Sequence, residues 1–149
     1  MLRVLPALVL ALGLAVGCRR DAPDALPHVR LGMAPKDVRD RFEPGGQGSW
    51  TTSVGGTADD TALEWKAAGP AAAVETARFE FHLGMLVAIR ALTREAAPAS
   101  EQIALTPTTV TVRRAAAPPA GKGTELAVLA RDCPTHKDEA RALADRARN

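Results

Sequence analysis

The sequence predicts an α+β fold: a short helix packed on an antiparallel meander sheet, with a C-terminal strand pair and a final helix after it. Three observations point there. A helix-start signal stands at Gly32-Met33-Ala34-Pro35, and from Ser49 the chain breaks into short runs bounded by Gly, Pro and Asp. From Thr135 onward the apolar residues return at helical spacing.

Each element has a local cause. Pro35 suits the first helical position because its missing N–H would have no partner there, and Asp37 favours the positive end of the helix dipole. Val38 and Phe42, four apart, form an apolar stripe while Lys36, Arg39, Asp40 and Arg41 look outward, and Pro44-Gly45-Gly46 ends the helix. Strands are expected at Gly48–Val54, Ala62–Ala67 and Val74–His82. The clearest hairpin joins Arg78–His82 to Leu86–Arg90 through Leu83-Gly84-Met85, with Phe79, Phe81 and Leu83 facing a core and Arg78, Glu80 and His82 facing water. A linker at Glu95–Ala99 leads to Ile103–Leu105. The strand pair Thr108–Arg114 and Thr124–Ala130 then flanks a Pro- and Gly-rich loop, Ala115–Gly123. In the final helix Thr135 stands as N-cap with Asp138 three residues on, and Ala140, Leu143, Ala144 and Ala147 form a small-residue apolar face. No element recurs at a fixed period, which excludes a repeat architecture.

Composition bounds the rest. The 149 residues are the length of one ordinary domain; 46% are hydrophobic but only 3% aromatic, with no Tyr, so the core must be built mainly from Ala, Leu and Val. Nineteen Lys and Arg against 17 Asp and Glu leave a net charge of +2. The basic residues are scattered and stacking aromatics are few, which argues against nucleic acid as a partner.

The N-terminus reads as an export signal. Arg3 supplies positive charge, Leu5 to Val16 are apolar apart from Pro and Gly, and Leu14-Ala15-Val16-Gly17 places small residues before Cys18. At 1.5 Å rise per residue a helix needs roughly 20 apolar residues to cross the hydrocarbon, and Arg19-Arg20 closes this run sooner. The order resembles the bacterial lipobox, with Ala15 where Leu is commoner. That resemblance implies cleavage before Cys18, a diacylglyceryl group on its sulfur and a third acyl chain such as palmitate on its amine. Cys133 would then have no partner in its own chain. The expected organisation is a signal peptide over 1–17, a tether over 18–27 rich in Pro and charge, and one domain over 28–149. The residue after the lipidated cysteine is Arg19, not the Asp that holds enterobacterial lipoproteins in the inner membrane, so the expected location is the periplasm-facing envelope, with the outer membrane favoured.

Val29-Arg30-Leu31-Gly32-Met33-Ala34-Pro35-Lys36-Asp37-Val38, a Trp in the first strands at Trp50 or Trp65, and Phe79-Glu80-Phe81-His82-Leu83-Gly84-Met85-Leu86-Val87-Ala88-Ile89 together resemble the SmpA/OmlA domain of the BamE-like lipoproteins. The likeness covers 28–92, and 100–149 is an extension beyond the small members. It implies a helix on an antiparallel sheet and a part in outer-membrane assembly or integrity through contacts with another envelope protein.

Candidate chemistry is sparse. Asp132-Cys133-Pro134-Thr135-His136 places a thiol just before a helix, where a thiolate can be favoured; the competing reading is a small buried Cys133 and an exposed His136. No catalytic residue is assigned. His28, His82 and His136 have no metal-ligand spacing, Asp59-Asp60 reads as a solvated turn without the further oxygens that Ca²⁺ needs, and Gly45-Gly46-Gln47-Gly48 lacks the Lys of a phosphate loop. No metal or cofactor is therefore expected. Trp50 and Trp65 hold much of the aromatic area. At least one should be core, and one on an open sheet face would suit a partner interface. The expected function is a non-enzymatic envelope lipoprotein that binds a protein. The alternatives are an inhibitor-like module for an extracytoplasmic enzyme, or a thiol enzyme using Cys133.

Overall fold

Alternation along the strands, interrupted by register shifts between the two longest strands, builds a sheet with two different faces, and the structure, a computed structural model, describes residues 26–55, 57–118 and 122–149 of the chain. The expected signal, Cys18 and most of the tether lie outside the described residues. The elements run α1 (Pro35–Arg41), β1 (Gly48–Val54), β2 (Asp60–Ala67), β3 (Val74–His82), β4 (Met85–Thr93), β5 (Gln102–Leu105), β6 (Thr109–Ala115), β7 (Thr124–Ala130) and α2 (Lys137–Arg146). The class is α+β. The seven strands form one open antiparallel sheet in the order β1-β2-β3-β4-β7-β6-β5. The sheet is thus not a simple meander. After β4 the chain passes to the far edge and returns, so that β7 pairs with β4 and the C-terminal strands extend the first four.

One face carries the larger core. Leu63 and Trp65 of β2, Ala77, Phe79 and Phe81 of β3 and Ile89 of β4 are buried there with Val38, Phe42, Leu26 and Val29. Phe42, which ends α1, is its hub: its ring meets Trp50, Trp65 and Phe79 edge-on with centroids 5.5, 5.3 and 5.2 Å away. Such pairs add about 0.5–1.5 kcal/mol each beyond burial. With so few aromatics in the chain, this cluster concentrates most of that contribution. Leu26, expected in the tether, is only 2% exposed, so the packed chain begins before His28.

The opposite face has a smaller core at the other end of the sheet. Ala140, Leu143 and Ala144 of α2 are buried with Ala88, Val110, Val112 and Leu129. Small residues at those helix positions allow close approach to the strands. Ala147 does not join them: it is the C-cap and exposed. The cap at the other end is His136, not Thr135, and it makes no side-chain cap bond.

The β3–β4 turn is tighter than the sequence suggests. His82 pairs with Met85, leaving only Leu83 and Gly84 between them, with φ of +50° and +74°. Positive φ at both central residues marks a type I′ turn, whose twist matches the flanking strands. Leu83 is consequently exposed and does not continue the core alternation of Phe79 and Phe81. No helix among the described residues is long and apolar enough to cross a membrane.

Candidate binding face

The face that carries α2 is covered only over the C-terminal strands. Over β1, β2 and β3 the same face presents Ser49, Thr51, Glu64, Lys66, Thr76, Arg78, Glu80 and His82, the outward set of each alternation. The flank of α2 and the open strands enclose a groove of about 610 Å³ that includes Leu92, Val112 and Leu143 among its lining.

Charges along the groove are organised in alternation. Glu64 on β2 pairs with the Arg78 guanidinium on β3, and Arg78 Nε donates to Glu80 Oε1 at 2.8 Å. The other Glu80 oxygen lies 3.0 Å from His136 Nε2, while Arg90 on β4 donates to both carboxylate oxygens of Glu139 on α2 at 3.1 and 2.6 Å. A continuous ionic chain therefore runs from β2 to α2. The His136 hydrogen bond and the neighbouring Arg78 hold the Glu80 carboxyl far below its ordinary value, down to about 2. Arg78 and Arg90 are shifted upward by their hydrogen bonds to Glu80 and Glu139. Beside this chain, His82 Nδ1 sits 2.8 Å from Asp60 Oδ1, and that bond, with one from Thr57, lowers the Asp60 carboxyl.

Several sequence expectations change here. His136, read as exposed, is 8% exposed because its ring closes the ionic chain under α2. Asp60 is not a loose turn residue: it opens β2 and holds His82. Cys133 is buried, and the His136 backbone N–H donates to its carbonyl at 3.1 Å while the imidazole points to Glu80. That geometry commits the ring to a carboxylate on another element. Trp65 is 4% exposed, inside the aromatic core, where a partner cannot reach it. Trp50 on β1 is half-buried against Phe42 with the Arg39 guanidinium 5.5 Å over its ring. His28, His82 and His136 lie on different pairings, and no group of metal-ligating side chains occurs among the described residues.

The Glu80–His136 and Asp60–His82 pairs were missed from sequence. The signal for one half of each was present, since alternation put Arg78, Glu80 and His82 on one face of β3. Their partners come from β2 and from the start of α2, and only the pairing of strands brings them within reach. In comparisons with known proteins, no family model, no curated protein and no solved structure matches the chain.

Proposed function

We propose that this chain is a non-enzymatic, lipid-anchored protein of a bacterial cell envelope that holds another envelope protein against the open face of its sheet. The observation that carries the binding role is the groove beside α2: its floor mixes apolar and polar side chains, and most of its charges are paired, Glu64 with Arg78, Arg90 with Glu139 and Arg114 with Glu125. Docking over these pairs would not have to strip water from isolated ions, which is the costly step in burying charge. The anchor rests on the order Arg3, apolar run, Leu14-Ala15-Val16-Gly17, Cys18. Several acyl chains, at about 0.8 kcal/mol per buried methylene, would make attachment lasting where one chain alone is marginal. The resemblance to the SmpA/OmlA domain supports a partner in outer-membrane assembly, and Arg19 supports the outer membrane as the site.

Two measurements test this reading. Mass spectrometry of membrane-extracted chain should show a new N-terminus at Cys18 carrying diacylglycerol and a further acyl chain; an unmodified Cys18 or a different cleavage site refutes the anchor. A photo-crosslinking residue at Thr76 should trap an envelope protein in living cells, whereas one at Lys36, on α1, should not. Equal trapping from both positions, or none from Thr76, removes the groove as the docking face.

A further inference from the structure

The two edges of the sheet are built differently. At one edge β5 is four residues long, Gln102–Leu105, with Glu101 before it and Pro107 just beyond. Short strands, charges and prolines are the usual means by which an edge is kept from pairing. The other edge, β1, has none of them: it is seven residues long, Gly-Ser-Trp-Thr-Thr-Ser-Val, without a charge or a proline, and its register with β2 runs unbroken from Gly48 to Val54.

The parity of its hydrogen bonds follows from the flanks. Ala68 N–H donates to the Gln47 carbonyl at 2.9 Å and Gly55 N–H donates to the Asp60 carbonyl at 2.7 Å. In an antiparallel ladder bonded residues alternate, so Ser49, Thr51 and Ser53 bond inward to β2. Gly48, Trp50, Thr52 and Val54 turn their N–H and C=O groups outward, where no strand pairs with β1 among the described residues.

We propose that β1 pairs with β1 of a second copy of this chain, antiparallel, about a twofold axis through Thr51. That register sets Trp50 opposite Thr52 and Gly48 opposite Val54, so each of the four outward residues exchanges both backbone bonds with the other copy. It is isologous and closed, and the strand's own side chains bring no like charges together; the nearest charge is Arg39, which in each copy is held by Thr52 and the Trp50 ring. Val54, at 75% the most exposed large apolar side chain among the described residues, comes to lie beside Gly48 of the other copy, over which the Trp65 ring packs and offers it an apolar edge. The half-buried Trp50 gains a neighbour on its open side. The two sheets become one continuous sheet, and the groove beside each α2 stays open.

The register makes a sharp test in cells expressing the full chain. Two residues at the axis form a non-hydrogen-bonded pair with Cα atoms about 4.5 Å apart, within disulfide reach. Residues at 53 would be about 14 Å apart at 3.4 Å per residue, beyond it. Mild copper-phenanthroline oxidation of membranes should therefore yield a disulfide-linked dimer from Thr51→Cys above the wild-type background, which reports Cys133 and any Cys18 thiol left without lipid, and none above it from Ser53→Cys. Adding Thr52→Pro to Thr51→Cys removes an outward N–H without touching the β1–β2 ladder and should abolish the crosslink, with circular dichroism of the purified chain unchanged. Absence of a crosslink from Thr51→Cys in a folded chain, or equal crosslinking from Ser53→Cys, overturns the proposal.

Discussion

His136 Nε2 lies 3.0 Å from Glu80 Oε2, and this contact ties the start of α2 to the C-terminal end of β3, across β4. It joins the two halves of the fold on the face opposite the aromatic core. Because both residues are largely buried, the contact also makes the fold sensitive to acid.

The Glu80 carboxyl titrates at about 2 in the folded chain against an ordinary 4.5. A depressed carboxylate contributes its stability fully above the unfolded value and loses it as pH falls through the folded one. Urea midpoints should hold steady above about pH 5 and fall as pH drops from there toward 2, with at most about 3 kcal/mol at stake given 1.36 kcal/mol per pH unit. Glu80→Gln should be less stable at neutral pH and should show a flatter acid limb. An acid limb identical to that of the wild type would mean that other carboxylates govern it.

Leu143 is the only large apolar side chain that α2 buries, with Ala140 and Ala144 beside it. Leu143→Ala should cost about 2–4 kcal/mol in chemical denaturation, as expected for a buried leucine that leaves a cavity. Arg146→Ala, whose side chain is half exposed and pairs with Glu101, should change stability by less than about 1 kcal/mol.

Phe42 closes the aromatic core from α1, touching Trp50, Trp65 and Phe79 together. Phe42→Ala should destabilise by about 3–5 kcal/mol and red-shift tryptophan emission as water enters beside both indoles. An unshifted spectrum would count against the rings' shared packing.

Leu83 sits at φ +50° in the β3–β4 turn with its side chain exposed, so it bears a backbone cost of roughly 1–2 kcal/mol without burial in return. Leu83→Asn, the residue preferred at that turn position, should raise the melting temperature by a few degrees, equivalent to about 0.5–1 kcal/mol. A fall in melting temperature would show that the leucine has a packing role.

Much of the fold was legible in the chain. Pro35 with the Val38 and Phe42 stripe marked α1, the alternation of Phe79 and Phe81 with Arg78 and Glu80 marked β3, and the Pro- and Gly-rich loop separated β6 from β7, because these signals act between residues close in sequence. The lipobox order before Cys18 is likewise a reading of sequence alone. Only the tertiary structure decided which strands are neighbours, since β4 selects β7 over β5 through burial of Ala88, Ile89 and Ala91 against the returning chain. That choice joined the meander and the C-terminal strand pair of the expected single domain in one continuous sheet and put the two helices on opposite faces. It brought Glu80 to His136 and Asp60 to His82, and it left β1 at an edge. Periodicity tells which side of its own strand a residue faces; which charge it meets there depends on pairings between distant segments, and those are set by how the whole apolar surface is buried at once.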